Sequence, residues 1–222
     1  MRGENPAYVY IFYSLSGSWM ASLSQAKTLG GVGSILALLG IVPSVGPVLS
    51  IAGLIMSLVA VKYISDILGD KRIFNNMIIA VILGIGGIVV LVAFVFAAIA
   101  RFIGVGNLFG ASPGVSPTIP PSDIISLIAG LAIGLLAAWV LIIVSAVFLR
   151  MSYKSVAARL NVGLFSTAAL LYLIGAALTI ILIGFVLIFV AQILLVVAFF
   201  SLPDTPPMPP SGTAPAPMTT SG

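Results

Sequence analysis

Residues 164–202 read LFSTAALLYLIGAALTIILIGFVLIFVAQILLVVAFFSL, a stretch without a single charge. As one helix at about 1.5 Å per residue it would run about 58 Å, nearly twice the roughly 30 Å hydrocarbon core of a bilayer. Tilts of roughly 0–40° do not absorb that excess, so the segment folds back on itself. Gly184 is the one helix breaker near its middle, which predicts two spans at about 164–183 and 185–202.

Upstream, apolar runs of the same kind predict spans at about 24–42, 47–65, 75–100 and 124–149. Ser22 with Gln25 three residues on reads as a capping box opening the first. Pro43, Gly46 and Pro47 make a tight hairpin after it. In the polar link 66–72, Gly69 suits the end of the second helix and Asp70 the N-cap of the next. Residues 102–123 hold Pro113, Pro117, Pro120 and Pro121 and read as an irregular loop. Residues 150–159 carry Arg150, Lys154 and Arg159 and read as a charged link.

Composition points the same way. The chain is 61% hydrophobic and 6% charged, where a soluble domain carries roughly a quarter charged residues. Lipid is the solvent such a chain calls for, because a small globule cannot hide that much apolar surface. The net charge of +4 therefore does not imply nucleic acid; basic residues here set orientation and meet lipid headgroups. With the N-terminus inside, Arg2, Lys27, Lys62, Lys71, Arg72, Arg150, Lys154 and Arg159 are cytoplasmic, and Arg101 alone is outside. The expected fold is an all-α, polytopic transmembrane helix bundle of six spans with both termini in the cytoplasm.

Three segments result: an N-terminal extension at 1–21, the membrane domain at 22–202, and a proline-rich tail at 203–222 expected to be a disordered cytoplasmic end. The extension has no cleavage site and is too short to span. Met20 stands directly before the capping box, so the native chain is expected to start there.

Chemistry is constrained by what is missing. The sequence has no His and no Cys, and no charge falls near a span centre. Thiol nucleophiles, a Ser–His pair, haem ligation and thiolate metal sites lose their usual residues. A charged relay of the kind coupled transporters use has no candidate either. Asp66 and Asp70 sit beside Lys62, Lys71 and Arg72, where charge compensation and capping explain them. No catalytic residue, cofactor or metal site is expected, and no enzymatic activity.

Two packing features stand out. Ser126, Gly130, Gly134 and Ala138 lie four apart on the fourth span and let a second backbone come close. Packing within the chain is the expected use, with a homodimer face as the alternative. Gln192 is the only side-chain amide deep in a span; it should face the bundle as interhelical glue. Tyr172, Thr179, Ser50, Ser57 and Ser145 are milder cases, since Ser and Thr can bond back to their own helix. Two inverted three-span repeats are not expected, because the order of tight turn and charged link reverses between the halves.

Several stretches resemble an uncharacterised, mainly archaeal family of integral membrane proteins (domain of unknown function 996). They are the run from Ser22 to Gly31, Ala60 to Asp66, Asp70 to Met77, Leu164 to Ala169, and Ala198 to Ser201. The resemblance covers roughly residues 22–202 and implies a polytopic membrane protein without adding an activity. The expected role is a non-enzymatic structural or accessory subunit of a plasma-membrane assembly, in contact with lipid and with itself or a larger complex. The alternative is a channel or facilitator for a small neutral solute.

Overall fold

The computed structural model describes residues 22–103 and 121–204. The N-terminal extension, the start at Met20, most of the 102–123 loop and nearly all of the proline tail lie outside the described residues. Within them the chain is helical throughout, with no strand.

Helix α1 spans Leu23–Leu38 and tightens into a 3-10 turn at Leu39–Ile41. Its capping box is present: the Gln25 amide donates to Ser22 Oγ at 3.2 Å, and the Ser22 amide donates to Gln25 Oε1 at 3.5 Å. Helix α2 is Gly46–Leu68, with Pro47 in its first turn, where the missing N–H has no intrahelical partner to lose. Gly69 ends it in the left-handed conformation, at φ 65°. Helix α3 is Lys71–Ile103 and α4 is Pro121–Leu160. Helix α5 is Gly163–Leu178, followed by a 3-10 turn at Thr179–Ile181, and α6 is Ile183–Phe200.

Among the described residues, five stretches are long and apolar enough to cross a membrane: Gly46–Leu68, Lys71–Ala100, Ile124–Leu160, Gly163–Ile181 and Ile183–Phe200. Helix α1 alone, at 16 residues, falls short of that length.

Two sequence expectations are corrected. Residues 150–159 are not a link: α4 continues through them to Leu160, and only Asn161 and Val162 separate it from α5. The reason is a helical period within the charged stretch. Tyr153, Val156, Ala157 and Leu160 are buried on one face, while Lys154, Ala158 and Arg159 face outward. Asn161, at φ 55°, ends the helix. The fold-back of residues 164–202 does not turn at Gly184 either. It turns at Leu182, which carries the positive φ of 65°, and Gly184 already lies in the first turn of α6.

Consecutive helices pack as three antiparallel hairpins, α1–α2, α3–α4 and α5–α6. The hairpins join through α2–α3 and α4–α5, and α6 returns to α1, so the six helices close a ring in chain order. Small residues set the close approaches. A Cβ on Gly33 would stand 2.8 Å from the Gly53 carbonyl, and one on Gly175 would stand 2.9 Å from the Gly184 carbonyl.

The core gathers at one end. Leu23, Val61, Ile64, Ile73, Val156, Phe165, Phe199 and Leu202 are buried together there, with every helix contributing. The far half of the α3–α4 hairpin behaves differently. Ile82, Ile88, Val92 and Phe96 on α3, with Ile125, Ile128 and Ile133 on α4, are exposed in the single chain.

Candidate functional site

The starts of α1, α3 and α5 and the ends of α2, α4 and α6 meet at the core end, which brings most of the charges to one face. Beneath them three aromatic rings form a plug. Tyr153 stacks on Phe165 with centroids 5.6 Å apart, and Phe199 meets both rings edge-on, at 6.3 Å and 5.0 Å. Glycines admit this plug. A Cβ on Gly30 would enter the Phe199 ring, and one on Gly31 would come within 2.5–2.8 Å of the Phe200 ring. Two stretches that resemble the family, at either end of the domain, thus pack on each other.

Side chains around the plug tie the helix ends together. Ser65 donates its hydroxyl to the Asp70 carbonyl at 2.8 Å, and Asp70 Oδ1 accepts from the Arg72 amide at 3.1 Å, capping α3. The other carboxylate oxygen of Asp70 pairs with Arg159 at 3.5 Å. The ion pair therefore reaches across to the end of α4 rather than to the neighbouring Lys71 or Arg72. Lys27 pairs with Asp204 at 3.5 Å, joining the first and last described elements. Both pairs are solvent-facing, and each is worth little by itself.

The α3–α4 seam is stitched by serines. Ser152 donates to the Ile73 carbonyl at 2.8 Å, and Ser145 donates to the Ala80 carbonyl at 2.7 Å. The donors are one heptad apart and so are the acceptors, the spacing of an antiparallel knobs-into-holes seam. The next repeat places Gly87 against Ala138: a Cβ on that glycine would stand 3.2 Å from the Ala138 carbonyl. Ser145, which could have bonded back to its own helix, bonds across to α3. Ser152 was not singled out from the sequence, although its heptad spacing from Ser145 was there to be read.

Ser126, Gly130, Gly134 and Ala138 do not share one environment. Ala138 is buried, and a Cβ on Gly134 would collide with the Phe94 ring on α3. Gly130 has open space where its Cβ would go, and Ser126 is exposed. The close contact is therefore made with α3 of the same chain, and only by the second half of the stripe.

Gln192 is half-buried on α6 and makes no hydrogen bond among the described residues. Thr179 bonds back to the Gly175 carbonyl at 2.9 Å. Trp139 donates its indole N–H to the Ala177 carbonyl at 3.2 Å, a cross-link between α4 and α5 that sequence reasoning missed. Gly33 and Gly40 approach Ser57 and Ser50 closely, so those two serines sit in the α1–α2 contact. No three His, Cys, Asp or Glu side chains converge among the described residues.

Among the described residues, these features define a small all-helical protein with five helices apolar enough to cross a membrane and with serine hydroxyls bonded inward to neighbouring backbones. The family described as "Protein of unknown function (DUF996)" matches residues 49–193, and the chain belongs to it. An uncharacterized protein of Methanocaldococcus jannaschii is similar, at 33% identity over 183 residues, covering 82% of this chain and 94% of that protein. No solved structure matches the chain.

Proposed function

We propose that this chain is a six-span protein of the plasma membrane, with both termini in the cytoplasm, acting as a non-enzymatic structural or accessory subunit of a membrane assembly. The first span is α1 with its 3-10 turn. At about 1.5 Å and 2 Å per residue they reach about 30 Å together, the thickness of the hydrocarbon core. Orientation follows from the charges gathered at the plugged end, which belongs in the cytoplasm by the positive-inside rule.

The observation that carries the accessory role is the α3–α4 hairpin. Its near half is locked by Ser145 and Ser152. Its far half exposes apolar side chains on both helices, and a smaller share of these two spans is buried within the chain than of the other described spans. Such a surface suits the flank of another membrane subunit, and the aromatic plug argues against a continuous path along the bundle axis.

Purification in mild detergent from the native host, with mass spectrometry of what stays bound, tests the role. A stoichiometric membrane partner, cross-linking to cysteines placed at Ile88 or Ile128, supports it. Solute flux through the purified chain alone in proteoliposomes would overturn it in favour of a facilitator. Topology is tested separately with single cysteines at Val45, which is exposed, and Ser155, which is half-buried, at opposite ends of the bundle. An impermeant thiol reagent on intact cells should label position 45 and not position 155.

A further inference from the structure

We propose that the hydroxyls of Tyr153 and Tyr172 hold a small neutral hydroxylic molecule, a water or a short polyol, inside the bundle between α4, α5 and α6. The proposal stands apart from the accessory role, since a scaffold and a facilitator could both contain such a site. Tyr153 is 2% exposed, yet its hydroxyl bonds to no described residue. Among the described residues, no fully enclosed side-chain oxygen or nitrogen lacks a partner. The Tyr153 oxygen therefore keeps a trace of accessible surface instead of being sealed in packed carbon. The same reasoning applies to Ser34, which is 3% exposed and also makes no hydrogen bond.

Helix direction aims the two phenols at one another. The Tyr153 ring lies at the level of Phe165 on α5. Helical side chains lean toward the N-terminus of their own helix. On α4 that direction leads away from the charged end, and on antiparallel α5 it leads toward it. Tyr172, two turns beyond Phe165, thus leans down as Tyr153 leans up. Neither phenol donates a hydrogen bond to the other.

Further polar groups sit at the same depth. The contacts of Gly175 with Ile188 and of Gly184 with Thr179 set Tyr172 opposite Ala191, next in the chain to Gln192. The seating of Gly30 on Phe199 sets Ser34 within one turn of Gln192. Below them the aromatic plug closes the charged end. Each unbonded hydroxyl left in an apolar interior is unfavourable. A molecule that both donates and accepts satisfies two of them at once.

The test is a double-mutant cycle, Tyr153→Phe and Tyr172→Phe, read as melting temperature of the purified chain in detergent. With a bridging molecule each single variant melts lower, by about 2–4 °C, and the double variant falls no further than the worse single. An unliganded pair behaves in the opposite way: removing a bare buried hydroxyl leaves the melting temperature equal or higher, and the two effects add. That second pattern overturns the proposal. Titration with ethylene glycol or glycerol separates the sources. A rise in the parent that exceeds the rise in the double variant identifies a polyol. Coupling with equal rises identifies water.

Discussion

Ser152 donates its buried hydroxyl to the carbonyl of Ile73 at 2.8 Å, from one helix to the backbone of the next. That carbonyl lies in the first turns of α3, so the bond fixes the depth of α4 against the start of its hairpin partner. Ser152→Ala removes a donor from a fully buried contact and should lower stability by about 0.5–1.5 kcal/mol. Ser145→Ala should cost about the same. Chemical denaturation in mixed micelles measures both. A loss confined to Ser152 would mean that the second rung adds nothing to the seam.

The glycine saddle gives a larger effect. Gly30→Ala places a methyl group inside the Phe199 ring position, and the misfit should cost about 1–3 kcal/mol. Phe199→Leu shrinks the opposing side chain, so part of that loss should return in the double variant. Four melting curves complete this cycle. Additive losses would show that the two residues do not touch.

Gly130 and Gly134 should part company. Gly134→Ile drives a branched side chain into Phe94 and should cost on the order of 1–3 kcal/mol. Gly130→Ala meets open space and should stabilise by about 0.5–1 kcal/mol through helix propensity. Equal losses at both positions would point to a partner helix along the whole stripe.

At the far end of α5–α6 the two residues near the turn have opposite needs. Leu182 holds φ 65°, so Leu182→Gly should raise stability by about 0.5–1 kcal/mol. Gly184→Ala should do the reverse, because its Cβ would enter the space of the Gly175 carbonyl. A gain from Gly184→Ala would move the close contact elsewhere.

Much of this architecture is legible in residue order. The apolar runs, the capping box at Ser22 and the left-handed Gly69 each carry a local signal, and each forms where the sequence places it. Two misreadings share one cause. Charge at Arg150, Lys154 and Arg159 marks the edge of an apolar run, but helices end where backbone bonding ends, and here that is Asn161. Glycine at 184 reads as a breaker, whereas its missing Cβ serves the contact with α5 and the reversal falls on a leucine. The cross-helix acceptors of Ser145, Ser152 and Trp139 are backbone carbonyls. Every residue has one, so no pattern of side chains announces which will be used. The Asp70–Arg159 pair is hidden by distance along the chain, 89 residues.

Closure of the ring sets an order in time. The pair that joins its two ends, Lys27 and Asp204, is separated by 177 residues, and the saddle of Gly30 and Gly31 waits for Phe199 and Phe200 over nearly the same stretch. Every other helix finds a packing partner in the element just made before it. Helix α1 must hold its glycine face unmatched on one side until α6 has been synthesised and inserted. Assembly is therefore local hairpin by hairpin, with a single late step that depends on the most distant ion pair among the described residues. A truncation that removes α6 should leave five helices with the matching faces of α1 and α5 open along the seam, and with it a ready target for membrane quality control.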